Sequence, residues 1–123
     1  SATLHEHEPE TLSQVEISAS TLSAVKEGMY NLTTTGSLAR YFQSCVVSAG
    51  AKTGTAQINA DTTNNGVFVC FAPYEDPEIA LAIVIERGGS GSALASTAVE
   101  ILNAYFAPSD IGTALIPEGT LLP

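Results

Sequence analysis

Ala51-Lys52-Thr53-Gly54-Thr55-Ala56-Gln57-Ile58 decides how this chain is read. It has the threonines of a strand, but a glycine stands in its middle. Glycine inside a strand is costly unless another backbone or a ligand must come close. Downstream, Asn59 to Gly66 is rich in turn formers, and Asn65-Gly66 is a strong hairpin signal. Val67 to Ala72 reads as a second strand, Pro73-Tyr74-Glu75-Asp76-Pro77 as a loop and Ile79 to Glu86 as a third strand. In that last strand Ile79, Leu81, Ile83 and Ile85 fall on one face, and Ala80, Ala82 and Val84 on the other. Both faces are apolar, so both are expected to be covered, the small one leaving room for a helix.

Helices flank this block. Upstream, Leu22, Val25, Met29 and Leu32 recur at helical spacing, with Ser20 or Thr21 as the cap. Gly28 interrupts the pattern, Thr33-Thr34-Thr35-Gly36-Ser37 ends it, and a short helical piece follows at Leu38 to Gln43. Downstream, Leu94, Ala98, Ile101, Leu102 and Tyr105 form an apolar stripe, capped by Ser92 and closed by Pro108. Short connections imply antiparallel neighbours. The expected fold is α+β: a three-stranded antiparallel sheet with an N-terminal and a C-terminal helix packed on it. The expected divisions are a flexible lead-in at 1–17, the folded part at 18–106 and an irregular tail at 107–123.

Composition excludes several roles. Lys26, Arg40, Lys52 and Arg87 are the only basic residues, and the net charge of −9 repels phosphate, so no nucleic-acid partner is expected. Anionic membrane surfaces are disfavoured on the same ground, and the longest apolar run, Ile79 to Ile85, is too short to span a bilayer. Charged residues are only 14% of the chain, as if part of its surface were normally covered. Cys45 and Cys70 lack metal spacing and read as small buried hydrophobes. His5 and His7 read as solvated, so no metal or other cofactor is expected. Gly88-Gly89-Ser90-Gly91 lacks the lysine and spacing of a phosphate loop and reads as a tight turn. Glu86 and Glu100 read as structural carboxylates.

Ala51-Lys52-Thr53-Gly54-Thr55-Ala56-Gln57 closely resembles the third active-site motif of class B penicillin-binding proteins. Val25-Lys26-Glu27-Gly28-Met29 resembles the helix before it, and Asn65-Gly66-Val67-Phe68-Val69-Cys70-Phe71-Ala72-Pro73 the strand after it. Ile83-Val84-Ile85-Glu86, Gly88-Gly89-Ser90-Gly91-Ser92 and the last helix are similar too. The resemblance covers roughly Ile17 to Phe106. It implies a C-terminal part of a transpeptidase domain, a piece of the β-lactamase/transpeptidase-like fold. By that resemblance Lys52 supplies positive charge and supports proton transfer, and Thr53 and Thr55 hold a substrate or β-lactam carboxylate. The Thr55 N–H joins the oxyanion hole, and Gly54 leaves room for substrate. Such chemistry needs cation and hydroxyls for a carboxylate, and fixed N–H donors where negative charge develops.

The implied parent is a serine-type D-Ala-D-Ala transpeptidase that crosslinks peptidoglycan stem peptides on the outer face of a bacterial cytoplasmic membrane and binds β-lactams. Such an enzyme also needs a Ser-x-x-Lys nucleophile and a Ser-x-Asn element. The one Ser-x-x-Lys spacing here is Ser23-Ala24-Val25-Lys26. It lies too close to Lys52, without Ser-x-Asn between, and reads as a chance pairing on a helix. The chain alone is therefore expected to be inactive and to need the missing N-terminal part of the same domain. Its open surface makes self-association an expected property. Other readings are a β-lactamase or β-lactam-sensor fragment, or a non-catalytic interaction module of the same fold.

Overall fold

The computed structural model describes residues 7–107. His7 to Ile17 carries no helix or strand and is exposed. Helix α1 spans Ala19–Thr34, α2 Ala39–Phe42 and α3 Ala95–Phe106; strands β1, β2 and β3 span Gly50–Ala56, Asn65–Ala72 and Ile79–Ile85. The strands form one antiparallel sheet in the order β1-β2-β3, so β1 and β3 are its edges. The expected α+β class, with its three-stranded sheet and flanking helices, is what forms. The tail expected at 107–123, including Pro108, lies outside the described residues beyond Ala107.

Several local expectations shift. The cap of α1 is Ser18, whose extended backbone lets Oγ accept from the Thr21 N–H at 3.2 Å. Ser20 and Thr21, the expected caps, are instead partners of Ser18, whose hydroxyl donates to Thr21 Oγ1 at 2.8 Å and lies 3.2 Å from Ser20 Oγ. At the other end the helix runs on to Thr34, because Thr33 and Thr34 bond back to the Tyr30 carbonyl at 2.8 and 3.0 Å. The buried Thr33 hydroxyl also reaches the Ala49 carbonyl at 2.6 Å, tying α1 to the approach of β1.

Asn65-Gly66 is not the hairpin turn. Both residues already belong to β2, opposite Ala56 and Thr55. The connection is Gln57 to Asn64, nucleated by Asn59, whose Oδ1 accepts from the Asp61 N–H and the Thr62 hydroxyl at 3.1 and 2.7 Å. Asn65 and Gly66 serve longer-range contacts. Asn65 Oδ1 accepts from the Arg87 N–H at 2.9 Å, and Gly66 lies against Ser90 and Gly91. The start of the last helix is also earlier than Ser92: Ser90 Oγ accepts from the Ser92 N–H and caps a 3₁₀ turn, Gly91–Leu94, which runs into α3.

The core lies on one face of the sheet. Ala51, Phe68, Cys70 and Ala72 pack there against Leu94, Ala95, Ala98, Val99 and Leu102, and Leu38 and Phe42 close the end. Ile79, Leu81 and Ile83 border this cluster, so α3 sits on the large-residue face of β3 and not on its alanine face. The buried line of α3 is also rotated from the expected stripe: Ala95 and Val99 are buried, while Ile101 and Tyr105 are exposed. On the opposite face α1 covers only the β1 end. Met29 meets Gly50 and Phe71 there, and the Phe71 ring lies where a side chain at Gly50 would stand, so the ring would have to shift to admit one. Ala80, Ala82 and Val84, expected to be covered, are exposed. So are Leu22 and Val25, half or more open on α1.

Candidate functional site

Strand β1 has a partner on one side alone among the described residues, and it carries the sequence Gly50-Ala51-Lys52-Thr53-Gly54-Thr55-Ala56. An edge strand offers alternate N–H and C=O groups to an extended ligand. Side chains alternate across it. Lys52 and Gly54 share the face of their partners Val69 and Val67, and Thr53 and Thr55 share the face of Phe68 and Gly66. The structure therefore brings the two threonines together and sends the lysine to the other side. The free edge lies between them, so a ligand lying along it faces both sets.

Lys52 is exposed, and its Nζ donates to the Thr53 carbonyl at 2.7 Å. It borders an apolar groove of about 440 Å³ lined by Val25, Met29, Leu32 and Ala51. Thr53 and Gly54 are half-buried, and Thr55 is open to solvent. A methyl group at Gly54 would meet nothing nearer than the Val67 Cβ at 3.4 Å, an ordinary contact. Within the chain itself, then, nothing fills the space beside Gly54 on that face.

The Ser23/Lys26 pair takes a different environment. Ser23 is exposed. The Lys26 ammonium lies 5.5 Å from the Phe71 ring centre and 5.6 Å from that of Tyr74, a cation–π seat. Tyr74 also stacks on Tyr30 at 4.3 Å. These two residues line a groove with Tyr74 and Glu75, separate from the groove that Lys52 borders. Next to it, the Ser48 hydroxyl donates to Glu75 at 2.5 Å and accepts from the Tyr74 N–H at 3.0 Å. That hydrogen bond holds the Glu75 carboxyl below its usual pKa.

Cys70 is buried and Cys45 half-buried, both free. Burial pushes the Cys70 thiol up to about 11. His7, Glu86 and Glu100 are exposed, and His5 lies outside the described residues. No helix among the described residues is long and apolar enough to cross a membrane.

Sequence reading missed two features beside the strand. One is the Ser48–Glu75 clamp just before β1. The other is the seat of Gly91 on the backbone of Gly54 and Val67. The run of glycines at 88–91 carried a signal of close approach, but not its target.

A family model described as the penicillin binding protein transpeptidase domain matches residues 2–106. The peptidoglycan D,D-transpeptidase MrdA of Escherichia coli (strain K12) is 33% identical over 94 residues, covering 63% of this chain and 15% of that protein. Penicillin-binding protein 2A of Bacillus subtilis (strain 168) is 33% identical over 87 residues, covering 63% of this chain and 12% of that protein. The solved structure of the penicillin-binding protein PBP2 from Helicobacter pylori matches with a TM-score of 0.62 at 30% identity, over 70% of this chain and 16% of that one. The chain thus spans 12–15% of the length of these curated relatives. With the family model matching residues 2–106, from before α1 to the end of α3, this chain belongs to the penicillin-binding protein transpeptidase domain family.

Proposed function

We propose that this chain is part of a serine-type peptidoglycan D,D-transpeptidase and supplies one side of its acyl-transfer site along the free edge of β1. The observation that carries this reading is the placement of Lys52-Thr53-Gly54-Thr55 on an unpaired edge, with Lys52 and Thr55 open to solvent. In this reading the stem peptide lies along the edge as an added strand. Thr53 and Thr55 hold its terminal carboxylate, and Lys52 adds the compensating charge. The Thr55 N–H donates to the oxyanion. A serine from outside this chain attacks the penultimate D-Ala carbonyl. The peptide C–N bond breaks, the hydroxyl proton ends on the departing amine, and an acceptor amine later takes the acyl group from the serine. A β-lactam takes the same path to a stable acyl-enzyme.

Residues 18–106 are the transpeptidase part in this proposal, with 1–17 leading in and 107–123 following. The parent works on peptidoglycan, outside the cytoplasmic membrane. The 123-residue chain by itself does not acylate.

The test uses the full-length protein that carries this segment and a fluorescent penicillin. Lys52→Ala is expected to slow labelling by about 10²–10³-fold, the usual cost of losing a group that stabilises developing charge. Thr55→Val is expected to slow it by roughly tenfold by removing one hydroxyl from the carboxylate. Labelling of Lys52→Ala at the wild-type rate overturns the reading. So does labelling of the isolated chain that is lost on Ser23→Ala.

A further inference from the structure

On the face shared by Thr53 and Thr55, the backbone of Gly54 lies against another loop. After β3 the chain turns through Arg87, in the left-handed region at φ 53°, and Gly89 at φ 74°. This turn is laced to the start of β2: the Arg87 N–H donates to Asn65 Oδ1 at 2.9 Å and the Gly89 N–H to the Asn64 carbonyl at 2.8 Å. The next residues then come down on the sheet. Gly66 faces the Ser90 carbonyl, where an added methyl would stand at 3.4 Å, an ordinary contact.

Gly91 is different. It is buried, and a methyl added there would stand 2.6 Å from the Gly54 carbonyl oxygen and closer still to that of Val67. It would also lie 3.1 Å from the Gly54 nitrogen. All three are backbone atoms of the paired strands, so no side-chain rotation relieves the crowding. Nor can Gly91 easily retreat. On one side the turn is tied to Asn64 and Asn65. On the other, Leu94 and Ala95 are anchored in the core.

We propose that Gly91 is a positioning residue for the acyl-transfer site: by resting directly on the backbone of Gly54 it fixes the height of the Gly54–Thr55 segment relative to the rest of the sheet. It touches no substrate and acts through β1. This inference rests on the reading that the β1 edge is the substrate strand. Its physical basis is that donors to an oxyanion lose their effect when displaced by a fraction of a bond length.

The experiment uses the full-length protein and a fluorescent penicillin, and it separates two readouts. One is the fraction of molecules labelled at the end point; the other is the labelling rate per labelled molecule. Gly91→Ala is expected to label to the wild-type end point, at a rate lower by about 10–100-fold, the scale of an ångström-sized misplacement. Gly66→Ala, whose methyl meets Ser90 at an ordinary distance, is expected to label at the wild-type rate. A loss of end point with an unchanged rate per labelled molecule means a merely structural role and overturns the proposal.

If Gly91→Ala does not fold, Asn65→Ala decides. It removes the acceptor of the Arg87 N–H and loosens the same turn without crowding it, and a rate lowered by about threefold at full end point is expected. An unchanged rate overturns the proposal. Lys52→Ala, measured alongside, separates the two ideas. If it leaves the rate unchanged, the reading of the edge falls. If it slows labelling and neither Gly91→Ala nor Asn65→Ala does, only the role of Gly91 falls.

Discussion

The two faces of the sheet are nearly equal in apolar character and opposite in fate. On one face Phe68 and Ala72 are fully buried and Cys70 is 3% exposed, under Leu94, Ala98 and Leu102. On the other, Val69 is 37% and Val84 61% exposed, with Ala80 and Ala82 open beside them. A surface of this kind marks a place that another element covers. In the proposed parent that element is the rest of the transpeptidase domain. The difference teaches that an apolar pattern does not by itself decide which face is covered: the face that meets α3 is buried, and the other is not.

The largest test of this contrast is mutational. Phe68→Ala is expected to cost the 123-residue chain about 3–5 kcal/mol by leaving a cavity among fixed neighbours. Val84→Ala is expected to change stability by no more than about 0.5 kcal/mol, since the side chain already stands in water. Denaturant unfolding measures both, and equal costs would break the contrast.

The second test is pH. The Cys70 thiol is raised from 9.0 to about 11, so between those values the unfolded chain has released a proton that the folded chain keeps. Stability therefore falls as pH rises through this window, by on the order of 1–3 kcal/mol. Cys45 is half-buried, and thiol alkylation at pH 8 is expected to reach it well before the buried Cys70. Cys70→Ala should remove its share of the alkaline slope; a slope unchanged by that substitution would count against the burial.

The smallest effect concerns association. An open apolar face and a β3 edge with no second partner among the described residues favour pairing of copies. Light scattering of the isolated chain is expected to give a mass above its 12.7 kDa monomer. Val84→Lys should weaken that association about tenfold, or ~1.4 kcal/mol. A monomer at all concentrations would remove the open face as a source of stickiness.

Much of the fold could be read from residue order. The strand over Lys52 to Ala56, the β-rich runs after it and the amphipathic helices each follow from local period and propensity, which act over a few residues. That Lys52-Thr53-Gly54-Thr55 lies on a strand was legible for the same reason, since the four residues are contiguous; the role given to them is the one proposed above. Asn65-Gly66 was misread because the pair favours a turn locally, yet is used here for contacts with Arg87, Ser90 and Gly91, more than twenty residues away. The rotated stripe of α3 was misread likewise: Ile101 and Tyr105 are apolar enough to be buried, but Val99 and Ala95 are the ones the sheet meets.

By itself the sequence determined that this chain makes an antiparallel sheet with helices on it, and that Lys52 to Thr55 lie together on one strand of that sheet. Only the tertiary structure decided which face of the sheet α3 covers, that Lys52 and the two threonines stand on opposite sides of one free edge, and that Gly91 rests on Gly54 from behind. Periodicity specifies that a residue wants a partner; which partner it finds is set by packing between segments distant in the chain, where shape and backbone approach choose among equally apolar alternatives.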